Sequence, residues 1–276
     1  MPSLAELRQL HRDLPRPIGV VPTMGYLHAG HAALMRRARA ECASVIVTLF
    51  VNPAQFGPNE DFTRYPRDFE RDSRLCEQER VDLLYTPATE QVYPAGFSTS
   101  VEVGGLTARW EGEHRPGHFR GVATVVTKLL TSTQPDRAYF GEKDFQQLRV
   151  VAQLTRDLDL PVDVVPCPTV REPDGLALSS RNAYLDADTR PQAAAIFEGL
   201  RAARLACAEG EREVDALVAR IQRELIAADF RIDYVAIVDP ETLEPLRRVE
   251  RPARALVAAR LGPVRLIDNM PIEPGC

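Results

Sequence analysis

The stretch Ile18-Gly19-Val20-Val21-Pro22-Thr23-Met24-Gly25-Tyr26-Leu27-His28-Ala29-Gly30-His31 reads as a strand that ends and a helix that begins. Ile18–Val21 is a short apolar run rich in β-branched residues, and a helical pattern follows over Ala32–Glu41. Between them stand glycines and two histidines three residues apart. A strand-to-helix junction presents unpaired backbone N–H groups and the positive end of a helix dipole, so this one suits a phosphate.

The same alternation recurs along the chain. Apolar runs at Val45–Val51, Val81–Tyr85, Ala138–Phe140 and Val162–Val165 read as buried strands. Helical patterns at Phe69–Arg80, Val122–Ser132 and Asp144–Leu158 lie among them. Strands alternating with helices imply crossover units and a parallel sheet covered on both faces. The predicted fold is α/β, a Rossmann-like doubly wound sheet over residues 1–170. From about Val170 the texture changes. Two long helical stretches (Asp188–Glu209 and Arg212–Ala228) precede short alternating runs at Ile232–Val238, Ala255–Ala259 and Val264–Asp268. Residues 171–276 therefore read as a smaller α+β domain that closes over the nucleotide site.

With 276 residues, one large and one small domain is the natural division. A net charge of −5 without a Lys/Arg block gives no sign of a nucleic-acid partner. The cysteines (Cys42, Cys76, Cys167, Cys207 and Cys276) are odd in number, scattered and without a C-x-x-C, which speaks against a disulfide framework or zinc cluster. The segment from Met1 to Pro17 is charged and lacks the apolar core of a signal peptide, and no apolar stretch approaches membrane-spanning length. The expected location is the cytoplasm, with no membrane partner.

Four loops concentrate the polar chemistry. In the first, a histidine at a helix start can donate to an α-phosphate oxygen as pyrophosphate leaves. The alternatives for His28 and His31 are capping or packing, or a zinc site. The spacing permits zinc, but His11, His114 and His118 have no cysteine companions. The second loop, Phe50–Gly57, offers Asn52 and Gln55, uncharged groups able to grip a hydroxyl, amide or carboxylate, or merely to satisfy loop backbone. The segment 57–67 that follows is polar and turn-rich, as a mobile lid is. The third loop, Phe140–Gln147, places Lys143 and Asp144 at a helix start, with Gln147 one turn on along the same predicted face. Lys143 can act as a point charge on polyphosphate, although an exposed Lys and Asp are often only solvated. In the fourth, Leu178–Asn182, two hydroxyls and a guanidinium form a phosphate clamp, with an N-cap as the alternative for either serine.

These segments occur in a recognisable order. P-T-M-G-x-L-H-x-G-H (Pro22–His31), F-V-N-P-x-Q-F (Phe50–Phe56), Y-P-R (Tyr65–Arg67), R-P-G-H-F-R-G-V (Arg115–Val122), G-E-K-D-x-Q-Q (Gly141–Gln147) and S-S-R-N (Ser179–Asn182) resemble the blocks of the pantoate–β-alanine ligase family. The resemblance runs from about Val20 to Tyr184, and Leu266–Asn269 is similar as well.

The resemblance implies an ATP-dependent, AMP-forming ligase of the H-x-G-H nucleotidyltransferase superfamily, serving pantothenate and coenzyme A biosynthesis. In that family pantoate is first adenylated with loss of pyrophosphate, and β-alanine then displaces AMP. Carried over by motif, Met24, Gly25, Tyr26, Leu27, His28, Ala29, Gly30 and His31 hold ATP. Gly141, Glu142, Lys143, Asp144, Val170, Leu178, Ser179, Ser180 and Arg181 complete the nucleotide site. Catalysis falls to His31, which the family treats as the acid, with His28, Lys143, Ser179, Ser180 and Arg181. Gln55, Gln147, Asn52 and Tyr65 bind substrate. Mg²⁺ is implied, held by ATP oxygens, with Asp72 and Asp144 as candidates for indirect support and no dedicated metal ligands. A homodimer is implied too.

The chain departs from the family pattern at Leu178 (often Met), Ala29 (often Glu) and Trp110 (usually Leu), none of which removes a phosphate or pantoate contact. A plain adenylyltransferase and a non-catalytic nucleotide-binding protein share H-x-G-H and remain the alternatives. Chemistry qualifies the word acid: pyrophosphate needs no proton to leave, so a hydrogen-bond donor at His31 suffices.

Overall fold

The computed structural model describes residues 4–58 and 60–275. Met1–Ser3 of the amino-terminal segment, Asn59 of the polar segment and Cys276 lie outside the described residues. The chain divides into two compact units, the first running to Glu142 and resuming over Gln146–Pro168. The second comprises Lys143–Phe145 and the chain from Thr169 onward.

The first unit holds five parallel strands, β1 (Ile18–Thr23), β2 (Ser44–Leu49), β3 (Leu83–Tyr85), β4 (Arg137–Gly141) and β5 (Asp163–Cys167), in the order β3-β2-β1-β4-β5. Ile18, Val20, Val21, Val45, Ile46 and Val47 are all fully buried. Such unbroken burial, rather than alternation, marks a sheet covered on both faces. The expected doubly wound α/β sheet is the one observed. Its helices are α1 (Leu4–Arg12), α2 (Ala29–Glu41), α3 (Phe69–Gln78), the single turns α4 (Thr89–Val92) and α5 (Glu111–His114), α6 (His118–Thr133) and α7 (Phe145–Asp157). Chain order reverses at β1, which pairs with β2 on one side and β4 on the other, creating a switch point at their carboxyl ends.

Two helix starts lie three or more residues from the sequence reading. The second helix begins at Ala29, not Ala32, because the histidines themselves form its cap. The sixth begins at His118, four residues before the apolar pattern at Val122. Gly117, at φ +82°, turns the chain into it, and its polar first turn hides the start from hydrophobic periodicity.

In the second unit α8 (Thr189–Gln192), α9 (Ala195–Ala208) and α10 (Val214–Ala227) precede an antiparallel sheet of β6 (Arg231–Val238), β7 (Ala253–Leu261) and β8 (Val264–Ile272). The predicted helix Asp188–Glu209 is broken at Ala193–Ala194, where the Ala194 N–H bonds only three residues back, to Pro191. Leu200, Leu217, Ile221 and Leu225 on α9 and α10 pack fully buried with Ala255 and Val257 of β7.

Candidate active site

The crevice at the carboxyl end of β1 is built by side chains gripping backbone. Gly25 and Tyr26 leave the strand with φ of +86° and +50°, a left-handed pair that redirects the chain. The Asp72 carboxylate, from the buried face of α3, accepts the N–H of Tyr26 through one oxygen and that of Leu27 through the other, both at 2.7 Å. Burial pushes the Asp72 carboxyl above its usual range, against the lowering by these two bonds. His28 is then the N-cap of α2: its Nδ1 accepts from Gly30 N–H at 3.1 Å, and Nδ1 of His31 accepts from His28 N–H at 3.2 Å. The two rings lie 4.1 Å apart.

This corrects the expectation of unpaired N–H groups. The N–H groups of Gly25, Tyr26, Leu27, His28 and Gly30 are all taken, by Thr23, Asp72, His31 and His28. What the junction offers a phosphate is imidazole, not those amides. The capping alternative for the histidines is also realised, and it is compatible with chemistry. With Nδ1 accepting on both rings, each neutral imidazole carries its proton on Nε2, a donor. Asp72, a candidate support for Mg²⁺, has both oxygens committed to the loop.

The second loop follows β2. Asn52 is buried and caps a 3₁₀ turn, Pro53–Gln55. Its amide donates to Gln55 Oε1 at 3.0 Å and to the Gly121 carbonyl at 3.1 Å. Its oxygen accepts from Ala54 N–H and, at 2.7 Å, from the Tyr93 hydroxyl. Burial pushes the Tyr93 phenol up to about 12. Asn52 thus sets the rotamer of Gln55, whose Nε2 donates to Met24 Sδ at 3.1 Å. The loop meets the first turn of α6 closely: a Cβ on Gly121 would stand 2.2 Å from the Ala54 carbonyl oxygen. The segment read as a lid is tied at Glu60, which accepts two bonds from Arg115 at 2.7 and 2.8 Å. Tyr65 is buried, edge-on to Phe56.

Sequence reasoning gave no role to the residues that fasten these loops: Asp72 as a loop clamp, Tyr93, Arg115, His118 and Gly121. The signal available was the density of glycine, arginine and histidine in Arg115–Val122, at a helix start where His118 proves buried.

Lys143 lies in a 3₁₀ turn, Glu142–Asp144, ahead of α7, and so does not share the expected helical face with Gln147. Of the glutamine pair, Gln146 is buried and committed, bonding Glu111 N–H and the carbonyls of Leu106 and Arg109, while Gln147 is half-buried. The Lys143 carbonyl accepts from Asn269 Nδ2 at 2.9 Å, and Arg254 donates to Asn269 Oδ1 at 2.6 Å. Val170 and Leu178 close a hairpin through a 2.9 Å backbone bond. Its side is buttressed by Arg171, bidentate on Asp268 at 2.5 and 3.0 Å. Ser179 is the N-cap of the turn Ser180–Tyr184, accepting from Arg181 N–H, so for Ser179 the capping alternative is realised. Ser180 is buried and Arg181 half-buried.

The pantoate-β-alanine ligase family model matches residues 1–271 of this chain. The chain belongs to that family. Pantothenate synthetase from Thermus thermophilus is 53% identical over 99% of this chain and all of its own length, and that from Roseiflexus sp. is 53% identical over 98% of both. The crystal structure of the Thermus enzyme superposes with a TM-score of 0.95, covering 99% of each chain. A Francisella tularensis pantoate-β-alanine ligase, described as complexed with βγ ATP and β-alanine, superposes at 0.82 with 35% identity, over 98% of this chain and 96% of its own. The enzyme class implied by the ordered motifs is thereby established as ligase. The family members match along their whole length, so the second unit belongs to the ligase as much as the first.

Proposed function

We propose that this chain joins pantoate to β-alanine in two half-reactions, consuming ATP and releasing AMP and pyrophosphate. The observation that carries the reading is the mutual capping of His28 and His31, which dedicates both Nδ1 atoms to backbone and sets the two rings side by side at the start of α2.

A carboxylate is a poor acylating agent. An oxygen of the pantoate carboxylate attacks the α-phosphorus of ATP, the bond to the bridging oxygen breaks, and pyrophosphate leaves. His31, with His28 beside it, donates to the α-phosphate oxygens as charge develops there, and the positive end of α2 adds to the effect. Lys143 and Arg181 supply charge to the phosphates, and Ser179, through its backbone, and Ser180 position them. Met24–His31, Gly141–Asp144, Val170 and Leu178 contact the nucleotide. Gln55 and Gln147 bind pantoate through amides that add no charge beside its carboxylate, with Asn52 acting through Gln55 and Tyr65 lining that loop. The β-alanine amine then attacks the acyl carbon of pantoyl adenylate, loses its proton, and AMP departs with the electron pair.

Among the described residues no cluster of three or more His, Cys, Asp or Glu side chains is placed to hold a metal ion. In this reading Mg²⁺ enters as part of the Mg–ATP substrate, held by ATP oxygens. We place the enzyme in the cytoplasm as a homodimer acting on small molecules. Cys42, Cys76, Cys167 and Cys207 are free thiols, the state a reducing compartment maintains. No helix among the described residues is long and apolar enough to cross a membrane.

The test is pyrophosphate release with ATP and pantoate, with and without β-alanine. Pantoate-dependent pyrophosphate, and AMP with pantothenate once β-alanine is added, is the expected result. A dinucleotide product, or no turnover, overturns the reading.

A further inference from the structure

The motif Arg115–Val122 has no part in the chemistry above, yet its histidine is buried. Both ring nitrogens of His118 are engaged. Nδ1 lies 2.9 Å from the backbone carbonyl oxygen of Gln55, and Nε2 lies 3.0 Å from Nη1 of Arg115. A carbonyl only accepts and a guanidinium only donates, so the ring is neutral with its proton on Nδ1. Burial, then the neighbouring Arg115 charge, brings the imidazole down to about 4, which keeps it in this form at neutral pH. Arg115 is itself fixed by two bonds to Glu60, at the far end of the loop that carries Gln55, and stands 3.6 Å from Glu111. His118 thus ties Gln55, and Arg115 ties Glu60 and reaches the Gln55 carbonyl more weakly, at 3.5 Å, beside the start of α6. On the same helix, Gly121 lets the Ala54 carbonyl approach, and its own carbonyl anchors Asn52.

We propose that His118 is a positioning residue for pantoate: donating through Nδ1 to the Gln55 carbonyl, it holds the Gln55 side chain where the substrate binds. It takes no part in proton transfer. The inference rests on the reading above that Gln55 binds pantoate.

Two near-isosteric substitutions separate the donor from the bulk of the ring. The amide nitrogen of H118N falls at the place of Nδ1 and keeps the bond to Gln55; the amide of H118Q falls at the place of Nε2 and loses it. Loss of one buried hydrogen bond at this site is expected to raise KM for pantoate about tenfold in H118Q. KM for ATP and kcat should stay within about twofold, and H118N should stay within about threefold of wild type in pantoate KM. Equal effects of the two variants, or equal changes in ATP and pantoate KM, overturn the proposal. If H118Q does not fold, E60Q carries the test: it loosens Arg115 from the loop and should raise pantoate KM alone, and an unchanged value overturns the proposal. Q55A run in parallel isolates the underlying reading. Unchanged pantoate KM in Q55A overturns both, whereas a rise in Q55A without one in H118Q overturns only the role of His118.

Discussion

His28 and His31 cap the same helix through each other's turn, with rings 4.1 Å apart and inclined by 43°. One arrangement therefore sets the start of α2, the tautomer of both imidazoles and their common orientation. The capping role and the proposed chemical role fall on the same two rings, so substitutions can be chosen that split them.

In the proposed mechanism His31→Ala removes the donor to the α-phosphate. Adenylate formation is expected to fall about a hundredfold to a thousandfold, the range seen for loss of one preorganised donor. Pyrophosphate release in the absence of β-alanine measures it, with ATP and pantoate binding retained. Release at near the wild-type rate would remove His31 from the mechanism.

His28→Asn retains a strong N-cap and loses the Nε2 donor, whereas His28→Ala loses both. Thermal unfolding should leave the Asn variant within about 0.5 kcal/mol of wild type and cost the Ala variant about 1 kcal/mol. Both should slow adenylation to a similar degree. If the Asn variant kept full activity, capping alone would account for His28.

Asp72→Asn turns an amide N–H toward a backbone N–H, since only one of its side-chain heteroatoms can accept. Destabilisation of about 1–3 kcal/mol is expected from the unsatisfied pair. The left-handed turn at Gly25–Tyr26 should loosen with it and KM for ATP should rise. Thermal unfolding and ATP titration read the two effects; a variant unchanged in both would show that the clamp does not govern the loop.

Gly121→Ala places a methyl group 2.2 Å from the Ala54 carbonyl oxygen, and backbone must shift to receive it. A loss of about 1–3 kcal/mol is expected, as for overpacking elsewhere. Weaker pantoate binding should follow, with ATP binding spared, as measured by calorimetric titration.

The His118 imidazole also makes stability depend on pH. Its folded value, about 4, lies below the unfolded 6.5, so between these limits the unfolded chain binds more protons. The stabilisation is full above pH 6.5 and is lost as pH falls toward 4. Burial sets the direction first and the Arg115 charge adds to it, against the Gln55 carbonyl and the Glu111 and Glu60 carboxylates, which favour the charged ring. The denaturant-unfolding free energy of H118N should be flatter than that of wild type across this window. Parallel curves would show that His118 does not titrate there.

The alternation of apolar runs and helical patterns was enough to reveal a doubly wound sheet, because buried parallel strands are apolar on both faces and announce themselves within a few residues. The chemistry-bearing loops were legible for the same local reason. Glycine, histidine and amide residues gathered at strand ends, and i to i+3 spacing already allowed His28 and His31 to share a helix start. Element boundaries were less legible where a cap or a polar first turn stood outside the apolar pattern, as at Ala29 and His118.

From the chain's order of residues alone came the class of fold and the ordered ligase motifs, with the residues we propose meet ATP and pantoate. Tertiary structure alone decided how those residues are held. Asp72 reaches Leu27 across 45 positions, His118 reaches Gln55 across 63, and Asn269 reaches Lys143 across 126. No spacing rule encodes such pairs, because they arise only when separate helices and strands are packed against one another. Their polar atoms are satisfied or not by that packing, and the same packing showed that the amides expected to bind phosphate were already taken.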